Sequence, residues 1–254
     1  SRGKGDLADL VANLLQKTND VRFRLGSLEP VELTDELMEL FSNDRLCPHF
    51  HMSIQAASTD VLFQMKRQYG RTEVENALFK IHNQVPGAFV GMDVIAGFPT
   101  ETEEQFLETY QVLAETPWTR LHVFPYSERS GTKAAALLQQ IPMEVRKARA
   151  ERLRHLSDDR VLIKARQQIG TTKQIVLLNR PSGQPQGLSQ DYWHVQLQSP
   201  VDEALAVRSP NDRPGVFSVN ITDVSEVRHG DVLLAGQFNI PRPEFLHNQE
   251  TLTL

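Results

Sequence analysis

The 254-residue chain has one cysteine, Cys47, so no internal disulfide framework can form, and a reducing compartment such as the cytoplasm suits it. No uninterrupted apolar run approaches the roughly 18 residues that a membrane-spanning helix needs. Ser1-Arg2-Gly3-Lys4-Gly5-Asp6 are not followed by an apolar stretch, so no secretory signal is expected there. A net charge of −5 gives no bulk attraction for nucleic acid, which leaves only a local basic face for that purpose. No repeat or low-complexity tract is visible. What remains is an ordinary globular composition, 40% hydrophobic and 23% charged, long enough for one large domain or two smaller ones. The chain begins without Met and goes straight into a helical pattern, which is compatible with a fragment.

The richest stretch is Met92-Asp93-Val94-Ile95-Ala96-Gly97-Phe98-Pro99-Thr100-Glu101-Thr102-Glu103-Glu104-Gln105-Phe106. Its apolar run from Val90 has strand length, and Gly97 and Pro99 stop it. Thr102 with Gln105 is a capping-box pattern, and Phe106, Leu107, Tyr110 and Leu113 recur at helical spacing. Strand-turn-helix junctions of this kind bind ligands in α/β proteins, at the carboxyl ends of parallel strands.

Up to about Gly170, strand and helix patterns alternate. Helices are expected from Asp6, Thr34, Ser58 and Pro142, the last running to about Gln168, with a further one capped by Thr72 and Glu75. Strands are expected at Val21–Leu25, His49–Gln55, Val90–Ile95 and Leu121–Phe124. Such alternation predicts an α/β fold with parallel strands and crossover helices. After Gly170 come short β-rich runs, Ile175–Leu178, Trp193–Leu197, Val216–Ile221 and Val232–Ala235, with turns at Pro181-Ser182-Gly183, Ser209–Gly215 and His229-Gly230-Asp231. These predict a small all-β barrel or sandwich. From Asn239 a tail with little pattern is expected to be extended or loosely ordered.

In the strand at His49, the polar residues His49, His51, Ser53 and Gln55 alternate with Phe50, Met52 and Ile54. The polar face is either solvated or, in a closed parallel barrel, turned into the lumen where a ligand binds. His49 and His51 without cysteine or carboxylate partners nearby are a poor metal set.

Four blocks resemble, in order and spacing, the radical-SAM methylthiotransferases: Arg24-Leu25-Gly26-Ser27-Leu28-Glu29-Pro30, Leu46-Cys47-Pro48-His49-Phe50-His51, Asp93 to Glu103, and His122-Val123-Phe124-Pro125-Tyr126-Ser127-Glu128-Arg129-Ser130-Gly131-Thr132. The branch most similar methylthiolates threonylcarbamoyladenosine beside the tRNA anticodon; sister branches act on isopentenyladenosine in tRNA or on a ribosomal protein. The resemblance implies the later strands of a parallel (β/α) radical-SAM barrel over residues 1–168, a small β-barrel of the TRAM type over 169–238, and a tail over 239–254. It implies S-adenosylmethionine as cofactor, with Ser27 and Glu29 at the end of one strand, Gln55 and Ser58 at the end of the next, the backbone from Asp93 and Val94 to Gly97 along the adenine, and Phe124, Tyr126 and Arg129 on the other side. Glu29 could instead cap a helix start, and Arg129 could be a surface loop residue.

The family also holds 4Fe–4S clusters, one of them on three cysteines of a CxxxCxxC loop. With Cys47 alone, at a position the family does not use as a ligand, this chain is expected to be inactive by itself. The alternative is a binding module without catalysis. Two departures stand in the motifs: Ala57 and Thr100 replace glycines, and Ala57 lacks a glycine's access to positive φ. The missing first strands leave an open edge, so a dimer or partner chain is expected there.

For tRNA contact, the long helix offers a stripe of Arg146, Lys147, Arg149, Arg152, Arg154, Arg160, Lys164 and Arg166. Solvated Arg/Glu-rich helix faces are common, however. The β-rich part is more acidic than basic. Tyr192, Trp193 and His194 could stack on bases or form core and rim of the small barrel.

Overall fold

The computed structural model describes residues 6–137, 139–178, 184–198, 215–226 and 232–238. The expected turns at Pro181-Ser182-Gly183 and His229-Gly230-Asp231, most of the turn ending at Gly215, and the tail from Asn239 lie outside them.

Three parallel strands, β1 (His49–Gln55), β2 (Phe89–Ala96) and β3 (Arg120–Pro125), form a sheet in that order. Helices α1 (Leu7–Lys17), α2 (Asp35–Glu39), α3 (Thr59–Gln64), α4 (Arg71–Gln84) and α5 (Glu103–Glu115) precede, link or follow these strands. The face carrying Phe50, Met52, Ile54, Met92 and Val94 is completely buried in the larger core. The opposite face carries His51, Gln55, Asp93, Ile95, His122 and Phe124 and is only partly covered.

Local signals explain most element boundaries. Asp6 Oδ1 accepts the Asp9 N–H and opens α1, and Thr34 Oγ1 accepts the Leu37 N–H and opens α2. Thr102 and Gln105 exchange both bonds of the expected capping box. Two expectations change. The helix expected to be capped by Thr72 and Glu75 starts at Arg71, because Glu73 Oε2 accepts the Gly70 N–H at 2.8 Å and Thr59 Oγ1 accepts the Arg71 N–H. The strand expected at Val21–Leu25 is reduced to isolated parallel bridges, Phe23 with Leu46 and Leu28 with Met52. Ser27, held at φ +59 between them, breaks the extended run.

The 24-residue helix α6 (Met143–Arg166) lies along β3. Ser157 Oγ accepts the Leu121 N–H at 2.9 Å and Arg154 donates to the Val123 carbonyl at 3.1 Å, so side chains of α6 satisfy part of the sheet edge. Its expected phosphate stripe is largely consumed in packing. Arg146 and Arg149 are buried, and Arg160 donates to the carbonyls of Thr116 and Ala114 while lying over the Trp118 ring.

Beyond Gly170, at φ +83 just past the helix, strands β4 (Thr172–Leu178), β5 (Gln186–Ser189), β6 (His194–Leu197), β7 (Val216–Glu226) and β8 (Val232–Phe238) close a barrel in the order β4-β5-β6-β8-β7. β5 went unread in the sequence because Gln-Gly-Leu-Ser lacks β-branched residues. Its Gly187 is required by close approach, since a Cβ there would meet Ile175 Cδ1 at 2.5 Å. Lys173 and Asp191 are a buried ion pair inside this unit, and Ser189 Oγ donates to Asp191 Oδ1 at 2.6 Å. Trp193 belongs to the barrel's core, which also takes in Phe89 of β2 and Val161 and Ala165 of α6. Tyr192 sits in the joint with the sheet, 4.2 Å from the His49 ring and under the Arg24 guanidinium. The pair is thus core and joint, and not an open stacking platform.

Candidate functional site

Four of the five described non-glycine residues with positive φ lie at the carboxyl rim of the parallel strands or in the turn facing it: Ser27 (+59), Gln55 (+63), Lys66 (+62) and Thr100 (+73). Each costs on the order of 1–3 kcal/mol, and strain of this kind persists where the surrounding fold enforces it and gathers at functional sites. Thr100 is a β-branched residue in the left-handed region, the least favourable case. The left-handed residue in the loop after β1 is Gln55; Ala57 is not, so its methyl group meets no backbone penalty there.

The rim borders a cavity of about 560 Å³ lined by Gln55, Phe63, Gln64, Met65, Lys66, Arg67, Ile95, Phe98, Thr100, Lys133, Ala134 and Leu137. Its walls are mostly apolar with a few polar groups at the mouth, the usual make-up of a small-molecule site. Gln64 and Thr100 are hydrogen-bonded to each other, and Arg67 is paired with Glu29. Glu29 therefore serves as a partner for Arg67, while in the turn that follows the Glu29 N–H donates to Glu32 Oε2.

Below the rim, a polar cluster crosses all three strands. His51 Nε2 lies 3.1 Å from Asp93 Oδ1, and the Ser27 N–H donates to His51 Nδ1 at 3.3 Å. Because Nδ1 accepts, the proton sits on Nε2 and is given to Asp93. These two bonds fix the orientation of the His51 ring on this face. The His122 ring lies 5.6 Å from that of His51. Among the described residues no group of three or more His, Cys, Asp or Glu is arranged to hold a metal ion.

The sequence-expected residues therefore divide. Gln55 lines the cavity, Glu29 braces its Arg67, and Ser27 and Asp93 hold His51. Ser58 is buried at the start of α3 with a hydroxyl that has no hydrogen-bond partner. Val94 points its side chain into the core on the opposite face. Gly97 is filled from outside, because a Cβ there would meet Arg146 Cγ at 2.5 Å, and its N–H is held by buried Glu101 at 2.8 Å. Burial pushes the Glu101 carboxyl above its ordinary value, against the pull of Arg149 at 2.7 Å and of the Gly97 N–H. Tyr126 packs between Phe98 and Arg146. Phe124, 53% exposed, faces a second depression beside Arg120 and Arg154, and Arg129 is exposed on the loop that follows. Sequence reading missed Phe63, Lys66, Arg67 and Lys133. For the first three the only local signal is a basic pair after an aromatic residue at the end of a short helix, and Lys133 has none.

Residues 5–113, which hold β1 and β2, match the radical SAM superfamily. Beyond that match, the chain is similar to tRNA methylthiotransferases. It is 41% identical over 155 residues to the threonylcarbamoyladenosine tRNA methylthiotransferase of Bacillus subtilis, covering 60% of this chain and 34% of that protein. It is also 41% identical over 154 residues to the protein of that name from Rickettsia prowazekii, covering 60% of this chain and 36% of that one. To the tRNA-2-methylthio-N(6)-dimethylallyladenosine synthase of Syntrophomonas wolfei it is 36% identical over 186 residues, covering 71% of this chain and 41% of that protein. The chain thus spans only about a third to two fifths of the length of these relatives.

Proposed function

We propose that this chain is the S-adenosylmethionine-binding part of a radical-SAM methylthiotransferase that modifies an adenosine next to the tRNA anticodon, with residues 169–238 acting as a TRAM-type barrel. The observation that carries the reading is convergence. Gly26–Pro30, Gln55, and the Asp93–Glu103 turn meet at one strained rim beside one cavity of suitable size. S-adenosylmethionine needs acceptors for its ammonium group, donors for its carboxylate and an apolar slot for its adenine. Gln55 offers both kinds of polar group, and Ile95, Phe98 and Leu137 offer the slot.

A 4Fe–4S cluster does not fit the residues present. It requires several converging thiolates, whereas Cys47 stands alone and is buried at the amino-terminal end of β1, far along the strand from Gln55. The chain by itself therefore binds and orients but does not catalyse. A non-catalytic RNA- or protein-binding module built from the same two parts is the alternative that the single cysteine favours.

Titration calorimetry with S-adenosylmethionine tests the reading. Gln55→Ala removes a hydrogen bond to a charged ligand group, a loss of about 1.5–3 kcal/mol, so the dissociation constant rises roughly tenfold to a hundredfold. Unchanged affinity in a folded Gln55→Ala protein refutes the site, and absence of any binding by the parent chain favours the module.

A further inference from the structure

We propose that Phe63 and Lys66, on the outer lip of the cavity, form the docking point for an unpaired nucleobase of the RNA substrate. The inference rests on the cavity being the cofactor site, and names the lip residues that hold the base against it.

Phe63 is 71% exposed, more than any other large hydrophobic residue described. It closes the last turn of α3 and lines the cavity together with Lys66 and Lys133. An aromatic ring left in water at a cavity mouth loses the stabilisation that burial would bring, and nothing in its own helix requires it, since Val61 and Leu62 fill the core. The Lys66 ammonium lies 5.3 Å from the ring centroid. Lys66 reaches that position from a left-handed backbone at φ +62, a conformation that the fold must enforce.

A flat ring with a cation above it and a second lysine on the same mouth suits a planar group that carries a phosphate. Base stacking on an aromatic side chain joined to a basic contact is the general way proteins hold single-stranded nucleic acid. The charge is local: Arg67 is taken up by Glu29, so Lys66 and Lys133 set the sign of the lip in a chain that is otherwise acidic. An unpaired base is favoured over a duplex because a lone exposed ring has no access to bases that remain stacked. On the long helix, Arg146, Arg149 and Arg160 are engaged with protein groups, which thins the basic stripe there.

The test is binding of a fluorescent RNA stem-loop with an unpaired adenosine in its loop to the full chain, alongside S-adenosylmethionine titration of the same variants. Phe63→Ala is expected to weaken RNA binding by roughly five- to a hundredfold, and by clearly more than it weakens cofactor binding. Lys66→Gln should lower the steepness of the salt dependence by about one unit. RNA affinity unchanged in Phe63→Ala, or no RNA binding by the parent chain, overturns the inference while the cofactor titration still judges the cavity. An equal loss of cofactor affinity in Phe63→Ala makes the ring a cavity wall and also overturns it. So does a dimer in sedimentation that Phe63→Ala converts to monomer without affecting RNA, because the ring then covers a second copy.

Discussion

The parallel sheet and the small barrel treat their polar groups in opposite ways. The barrel encloses Lys173, Asp191 and Ser189 and satisfies them against one another. The sheet turns His51, Asp93 and Gln55 to a partly open face and holds its rim in strained backbone. A buried network closed on itself specifies a structure, whereas polar groups spread along an open rim beside a cavity leave capacity for something else. The barrel has one left-handed non-glycine residue among those described, Tyr192, and that residue is committed to the joint with the sheet. On this contrast the uncommitted polar groups lie on the sheet and not in the barrel.

The contrast breaks most readily in the core of the sheet. Phe50 is completely buried and stacks on Phe41 with ring centroids 4.4 Å apart. Phe50→Ala should cost about 3–5 kcal/mol, read by denaturant unfolding, with the sheet melting ahead of the barrel. If the two parts still unfold in one step, the shared core at Phe89 makes them a single cooperative unit.

A slightly smaller effect, about 3 kcal/mol, is expected from Asp191→Ala, which leaves the Lys173 charge buried without its partner. In a Trp118→Phe background, Trp193 fluorescence reports the barrel alone, since these are the two tryptophans of the chain. Barrel stability that stays unchanged would show that the pair is a solvated contact and not a structural one.

At neutral pH the smallest of these effects lies in the joint. Burial, then the charges of Arg24, His51 and His122, push His49 down to about 3 from its ordinary 6.5. Above pH 6.5 the imidazole is neutral whether folded or unfolded, and it adds no pH dependence. As the pH falls from 6.5 towards 3, the unfolded chain takes up a proton that the folded chain refuses. Stability therefore falls by up to about 1.4 kcal/mol per pH unit. His49→Gln should flatten that slope in acid-unfolding curves; an unchanged slope would place the proton uptake elsewhere.

The alternation of apolar and polar residues was enough to read β1 and its two faces, because a parallel strand covered on one side writes its orientation into every second residue, and an apolar run of strand length was enough to read β2. The Thr102 cap was equally local. What escaped was decided by distant partners. The bond between His51 and Asp93 joins residues 42 positions apart and exists only once the register of β1 on β2 is set. The start of α4 depends on Thr59, and the loss of the strand at Val21 on a single left-handed serine. Asp191 counted as one more surface acid in the sequence, and only barrel closure buries it beside Lys173. The lip residues Phe63 and Lys66 broke the amphipathic pattern of a short helix and so read as noise.

Helix α6 is fastened at both ends. Near its start Arg146 fills the hollow over Gly97, and near its end Val161 and Ala165 are embedded in the barrel. A helix of 24 residues spans about 36 Å and turns about 100° per residue. It therefore acts as a strut of fixed length and phase, and its residue count is a dimension of the molecule. Removing a single residue between Arg149 and Val161 would swing the barrel by about a third of a turn, away from Tyr192's seat on His49, although the pairing of the barrel strands would be kept.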